Sequence, residues 1–137
     1  MPLRILITGT SAAVSQVTKT IIDRSLHNCK SEIVDYKQLS LSAEKADYDF
    51  AVINDLMADI YYRLPSALND VPSVLITNND RILTDPKRFG LFGAIKNTSG
   101  GAAGLVAFEK ELIAIINNGT HNTLERKSAD KPHFDNR

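Results

Sequence analysis

Five short apolar runs, alternating with segments of helical periodicity, constrain this chain more than anything else in it. Residues 3–8 (LRILIT) end at Gly9 and read as a buried strand. Thr10, Ser11, Ala12 and Ala13 follow as a helix start, because a hydroxyl can cap the first free N–H groups. Val14, Val17, Ile21 and Leu26 then recur at helical spacing as an inward face, with Gln16, Lys19 and Asp23 opposite. Residues 32–36 (EIVDY) form a second, shorter strand candidate, and residues 39–47 fit one or two helical turns. Residues 49–55 (DFAVIND) are the clearest interior strand.

The pattern continues through the second half. Met57, Ile60, Tyr61, Leu64 and Leu68 keep helical spacing, and Pro65 must break or kink that helix. Residues 71–77 (VPSVLIT) form a fourth strand and residues 92–96 a small fifth, while Pro86 argues against a long helix over residues 81–89. Five of the seven glycines fall between residues 90 and 104, where unusual turns or close backbone approaches are expected. A last helix is expected over residues 101–116, with Leu105, Phe108, Leu112 and Ile115 inward and Glu109, Lys110 and Glu111 as its solvated face; Asn117, Asn118 and Gly119 read as its stop.

Strand–helix alternation of this kind implies a parallel sheet covered on both faces. Five units within about 117 residues fit an α/β, flavodoxin-like doubly wound fold with strand order 2-1-3-4-5. Residues 1–117 are then the domain, and the polar, aperiodic residues 118–137 a disordered tail or linker. In such a fold function sits outside the C-terminal ends of the strands. That directs attention to Gly9, Thr10, Asn54, Asp55, Thr77, Asn78, Lys96 and Asn97.

Composition narrows the function classes. Sixteen basic and sixteen acidic residues give a formal charge of zero, which speaks against a nucleic-acid binder working through bulk electrostatics. The only cysteine, Cys29, allows no internal disulfide and points to a reducing compartment. The N-terminal apolar run is far shorter than the roughly 7–15 residues of a secretory core or the roughly 20 of a membrane span. A cytoplasmic location away from membranes is expected.

On these residues the chain resembles the receiver domain of response regulators, the CheY-like family, and is closest in flavour to the receiver of the chemotaxis methylesterase. Residues 4–12 (RILITGTSA) resemble that family's first strand, acidic pair and Ser-Ala helix start. Residues 50–57 (FAVINDLM) resemble the strand that ends in the phosphorylated aspartate, and residues 93–96 (GAIK) the last strand with its lysine. Ser99, Gly100 and residues 111–113 (ELI) suit the methylesterase version. The resemblance implies that Asp55 stands at the phosphoacceptor position and that an acidic pair should hold Mg²⁺ after the first strand. Here those two positions are Gly9 and Thr10. Metal stabilisation of a transferring phosphoryl group is worth several kcal/mol, so its loss implies a rate loss on the order of 10² to 10³.

Further departures point the same way. The family's switch Ser or Thr falls on Asn78, with Thr77 one residue earlier, and the proline that normally follows the lysine is Asn97. The spacings from Asp55 to Asn78 and from Asn78 to Lys96 are short for the family. One residue of slip near Lys96 would turn its side chain to the other face.

Each candidate also has a plainer reading. Asp55 could be a polar strand end, and Lys96 a solvated lysine rather than an anion ligand. The turn at Gly9, Thr10 and Ser11 lacks the glycine and lysine spacing of a phosphate loop, so an ordinary helix cap is favoured. Cys29 lies beyond the first helix, unlike the cysteine that follows the first strand in phosphotransferase subunits of similar fold, and reads as a structural thiol. His27, His121 and His133 are not spaced as metal ligands, and Tyr61 and Tyr62 fit a half-buried aromatic pair.

The expectation is a degenerate receiver that is not an enzyme, carries no cofactor because its Mg²⁺ site is lost, and acts by protein–protein interaction. By resemblance, the partner, a histidine kinase or an output domain, docks on the last helix and adjacent strand, residues 96–116. An active but atypical receiver phosphorylated on Asp55 by a histidine kinase is the first alternative. A small nucleotide- or anion-binding enzyme using Gly9, Thr10, Ser11, Asn78 and Lys96 is the second.

Overall fold

The structure, a computed structural model, describes residues 2–41, 47–54, 68, 70–97 and 101–129. The apolar runs become parallel strands: β1 (Leu3–Gly9), β2 (Cys29–Ile33), β3 (Phe50–Asn54), β4 (Ser73–Thr77) and β5 (Gly93–Lys96). They form one sheet in the order β2-β1-β3-β4-β5, the doubly wound arrangement expected from the sequence. Every strand pair is parallel, with Gly9 opposite Asn54 and Thr77 opposite Lys96.

Two helices cover one face of the sheet. These are α1 (Ala12–Ser25) and α4 (Gly101–Ala129), and between them and the sheet lie Ile5, Ile7, Phe50, Val52, Val74, Ile76 and Ile95. The opposite face buries Leu6, Ala51, Ile53 and Leu75 against Leu39 of α2 (Tyr36–Leu41), Ile82 of α3 (Asp80–Thr84), Leu68 and Leu91. Alternate residues of β1, β3, β4 and β5 therefore feed opposite cores. Pro86 ends the α3 region as anticipated: a 3-10 turn over Pro86–Phe89 follows and closes at Gly90, whose φ of 78° is left-handed. No helix of the described residues is long and apolar enough to cross a membrane.

Four local expectations are corrected. The second strand lies three residues earlier than residues 32–36, because the edge register Leu3↔Cys29 to Ile7↔Ile33 carries Lys30 and Glu32 into solvent and hides the apolar signal. The helical turns expected over residues 39–47 start at Tyr36; residues 42–46 lie outside the described residues. In α1 the inward face is Ser15, Thr18, Ile21 and Ile22, with Val17 exposed. Thr18 tolerates burial because its hydroxyl donates to the Val14 carbonyl at 2.7 Å.

The fourth correction concerns the last helix. It does not stop at Asn117, Asn118 and Gly119 but continues to Ala129, so a boundary at residue 117 falls inside an element. Phe108, Leu112 and Ile116 are buried and Ile115 packs against them, while Leu105 is exposed. Glu109 is more than a solvated residue, since its carboxylate accepts from Arg24 and Ser25 of α1. Gly119 serves close approach: a Cβ there would overlap the Phe50 ring, which stands edge-on to Phe92 at 6.1 Å. Thr120 beyond it is buried and donates its hydroxyl to the Ile116 carbonyl at 2.8 Å. The expected helix through Met57, Ile60, Tyr61 and Leu64, including Tyr62, and the residues 130–137 with His133, lie outside the described residues.

Candidate functional site

The C-terminal edge of the sheet gathers the strand ends singled out by the sequence. At β1, Gly9 has a φ of 145°, in the region that disfavours side chains, and an added Cβ would overlap the Asn54 backbone oxygen and side-chain amide. Asn54 is fully buried at the end of β3. Its Oδ1 accepts the Ser11 N–H at 3.0 Å, its Nδ2 donates to the Ser15 hydroxyl at 2.7 Å, and its carbonyl accepts the Thr10 N–H at 3.4 Å. One amide thus ties the strand end to the first turn of α1. Ser11 adds the N-cap, its hydroxyl accepting the Val14 N–H at 3.2 Å. The ordinary helix cap favoured for this turn is the arrangement found.

The other half of the edge is different. Thr77 ends β4 buried, and its hydroxyl oxygen accepts the Asn79 N–H at 3.1 Å. Asn79 caps α3, its Oδ1 accepting the N–H groups of Arg81 at 3.0 Å and Ile82 at 3.4 Å. Asn78, between them, is exposed. Lys96 ends β5 exposed and opposite Thr77, and the Asn97 N–H donates to the Thr77 carbonyl at 3.1 Å. The edge therefore brings Gly9 and Thr10 to Asn54, and separately Thr77 to Lys96. Asp55 lies outside the described residues.

Sequence reasoning marked Asn54 only as a neighbour of Asp55 and missed Ser15 altogether. A polar residue closing an all-apolar strand was the available signal for Asn54. For Ser15 there was none, because a small hydroxyl in an amphipathic helix has no preferred face.

At the opposite edge of the sheet, Arg4 lies over the Tyr48 ring at 4.6 Å and donates its backbone N–H to Asp49. Burial, then the hydrogen bond to Glu32, pushes the Tyr48 hydroxyl up to about 12. Cys29 is half-buried, and burial followed by the negative charges of Asp23 and Asp49 pushes its thiol up to about 11. That thiol stays protonated at neutral pH and lacks the character of a nucleophile. Lys19, Asp23 and Ser31 pin α1 to β2: the Lys19 ammonium donates to the Ser31 hydroxyl and carbonyl at 3.0 Å each, and that hydroxyl donates to Asp23. Burial disfavours the Asp23 carboxylate, but the Ser31 and Lys19 interactions outweigh it and hold its pKa low.

No protein-family model matches this chain, and no curated protein is similar enough in sequence to match it. Solved structures are similar in fold. One is a "Bacteriophytochrome response regulator RtBRR", 14% identical with a TM-score of 0.55 over 94% of this chain and 92% of that one. Another is the solution structure of a response regulator protein from Burkholderia multivorans, 18% identical with a TM-score of 0.48 over 85% of this chain and 96% of that one. The first likeness, with the observed strand order, shows the flavodoxin-like, receiver-type fold.

Proposed function

We propose that the chain is a receiver-type signalling module whose phosphotransfer pocket is degenerate, working in the cytoplasm by protein–protein contact and without Mg²⁺-dependent phosphorylation of Asp55. The observation that carries this reading is the end of β1. A magnesium site needs hard, charged oxygen donors. At the two positions where the resemblance implies acids, one residue is a glycine whose side-chain space Asn54 fills, and the other offers a neutral hydroxyl. An acid could enter at Gly9 only by displacing Asn54 and breaking its bonds to Ser11 and Ser15. This donor set does not fit the metal, and no step of the function runs through it.

The polar groups at this turn are engaged in holding α1, which also argues against a nucleotide- or anion-binding enzyme centred there. The partner, a histidine kinase or an output domain, is assigned to the α4–β5 side, with Lys96 as a solvated charge.

The test is an NMR titration with Mg²⁺ and beryllofluoride. The spectrum should stay unchanged, whereas micromolar binding with shifts centred on Asp55 would overturn the reading. Incubation with a small acyl phosphate followed by intact mass measurement should add no phosphate. A labelled product would establish the atypical active receiver instead. A thermal-shift screen with nucleotides should likewise move nothing, since a ligand at 100-fold its Kd stabilises by about 2.7 kcal/mol.

A further inference from the structure

The strand β2 ends the sheet and pairs with β1 alone. Along that pair the Leu3 N–H donates to the Asn28 carbonyl and the Val34 N–H to the Ile7 carbonyl. Strand alternation therefore turns the backbone N–H and C=O groups of Lys30 and Glu32 toward β1, and those of Cys29, Ser31 and Ile33 away from it. An outward row of this kind is a template for another strand. Ile33 in that row is 41% exposed, one of four large apolar side chains in solvent among the described residues.

The residues of this edge are self-complementary. A second β2 laid antiparallel, with Ser31 opposite Ser31, sets Cys29 against Ile33 and Lys30 against Glu32, every contact occurring twice. In that register the outward backbone groups face one another. The next registers that keep this backbone match, two residues either way, put Lys30 against Lys30 or Glu32 against Glu32. Lys30 and Glu32 are exposed, and neither has an ion-pair partner among the described residues. Tyr48 donates its hydroxyl to one Glu32 oxygen, and a carboxylate has acceptor capacity for a further donor.

One group obstructs that pairing. The Lys19 ammonium donates to the Ser31 carbonyl and hydroxyl at 3.0 Å each and lies 3.1 Å from the Asp23 carboxylate. It thus occupies the acceptor at the centre of the outward row. In a pair, its copy would stand across the same two-fold axis, where two ammonium groups repel and the central backbone bonds are obstructed. We propose that the β2 edge is a latent pairing site for a second copy of this chain, and that Lys19 keeps it closed. The inference does not depend on whether Asp55 takes phosphate.

The experiment compares the full wild-type chain with Lys19→Met from about 1 μM to about 1 mM, by sedimentation equilibrium and by amide hydrogen exchange at Ser31 and Ile33. The variant keeps the Ser31–Asp23 hydrogen bond, so α1 should stay in place and far-UV circular dichroism should be unchanged. It should associate roughly tenfold more tightly than wild type or better. Its Ser31 and Ile33 amides should exchange more slowly as concentration rises, while those of the wild type should not. Lys19→Ala, which also removes the ammonium, should behave alike. Adding Ile33→Pro removes one outward N–H and no bond to β1, and should abolish both effects. In the Lys19→Met background, Lys30→Glu and Glu32→Lys should each weaken pairing alone and restore it when mixed. Neutral variants that associate no better than wild type, concentration-dependent protection already present in wild type, pairing indifferent to Ile33→Pro, or a mixture that fails to pair would each overturn the proposal.

Discussion

The two halves of the sheet's C-terminal edge carry similar numbers of polar residues and use them in opposite ways. At the β1–β3 half, Asn54 is fully buried, and its side-chain oxygen and amide nitrogen both bond to α1. At the β4–β5 half, Asn78 and Lys96 stand in solvent beside a buried Thr77. The first half is a joint and the second a surface. Polar residues at strand ends thus need not mark a site: a group whose hydrogen bonds are consumed by the fold contributes stability and has little left for a ligand. The fold resembles that of signalling receivers, yet its chemistry-bearing corner has become part of the scaffold in the reading proposed above.

Substitutions at the two halves should separate widely, and the largest effect belongs to Gly9. Gly9→Ala meets both a disfavoured φ and overlap with Asn54, so urea unfolding should show a loss of about 3–5 kcal/mol. A loss below about 1 kcal/mol would mean that Asn54 moves aside easily and that the joint is soft.

Asn54→Leu comes next. It leaves the Ser11 N–H and the Ser15 hydroxyl without their partner and should cost about 2–4 kcal/mol. Asn54→Asp should cost less, since a carboxylate can accept from both groups.

A comparison with the far edge sharpens the picture. Gly119→Ala gains helix propensity but overlaps Phe50, and should destabilise by about 1–2 kcal/mol. Loss of stability there would show that residues past 117 belong to the core.

That far edge also carries the pH response. Cys29 and Tyr48 both bind their protons more tightly folded than unfolded, so their contribution is complete below the unfolded values. It should fall away as pH rises from about 9 through about 12, the ordinary thiol value and the folded phenol value. Stability followed against pH in Cys29→Ser should lose the lower part of this decline, and Asn54→Leu should leave its shape unaltered.

The smallest effects belong to the open half. Lys96→Ala should change stability by no more than about 0.5 kcal/mol, as an exposed residue without an ion pair among those described. A larger loss would mean that Lys96 contributes to the joint after all.

Much of the fold was legible because its signals are local. The apolar runs of β1, β3 and β4, the Ser11 cap and the stop at Pro86 each depend on a few adjacent residues, and hydrophobic periodicity reports them directly. The order β2-β1-β3-β4-β5 followed from alternation and chain length. Only the resemblance to the receiver family, and no local pattern, directed attention to Gly9 and Thr10 as positions where it implies acids.

Tertiary structure decided the rest, for reasons that no local window contains. The edge strand β2 was misplaced because only one neighbour pairs with it and its outer residues face water. Gly119 looked like a helix stop, since glycine is disfavoured inside helices and favoured just past their ends; only the approach of Phe50, 69 positions earlier in the chain, shows that α4 must pass through with no side chain there. Asn54 looked like a strand end, and became a joint through bonds to residues 43 and 39 positions away. Composition and periodicity determine which segments are strands and helices and which faces are apolar. Which polar atoms find each other is set by contacts between distant segments, and that pairing separates a scaffold from a site.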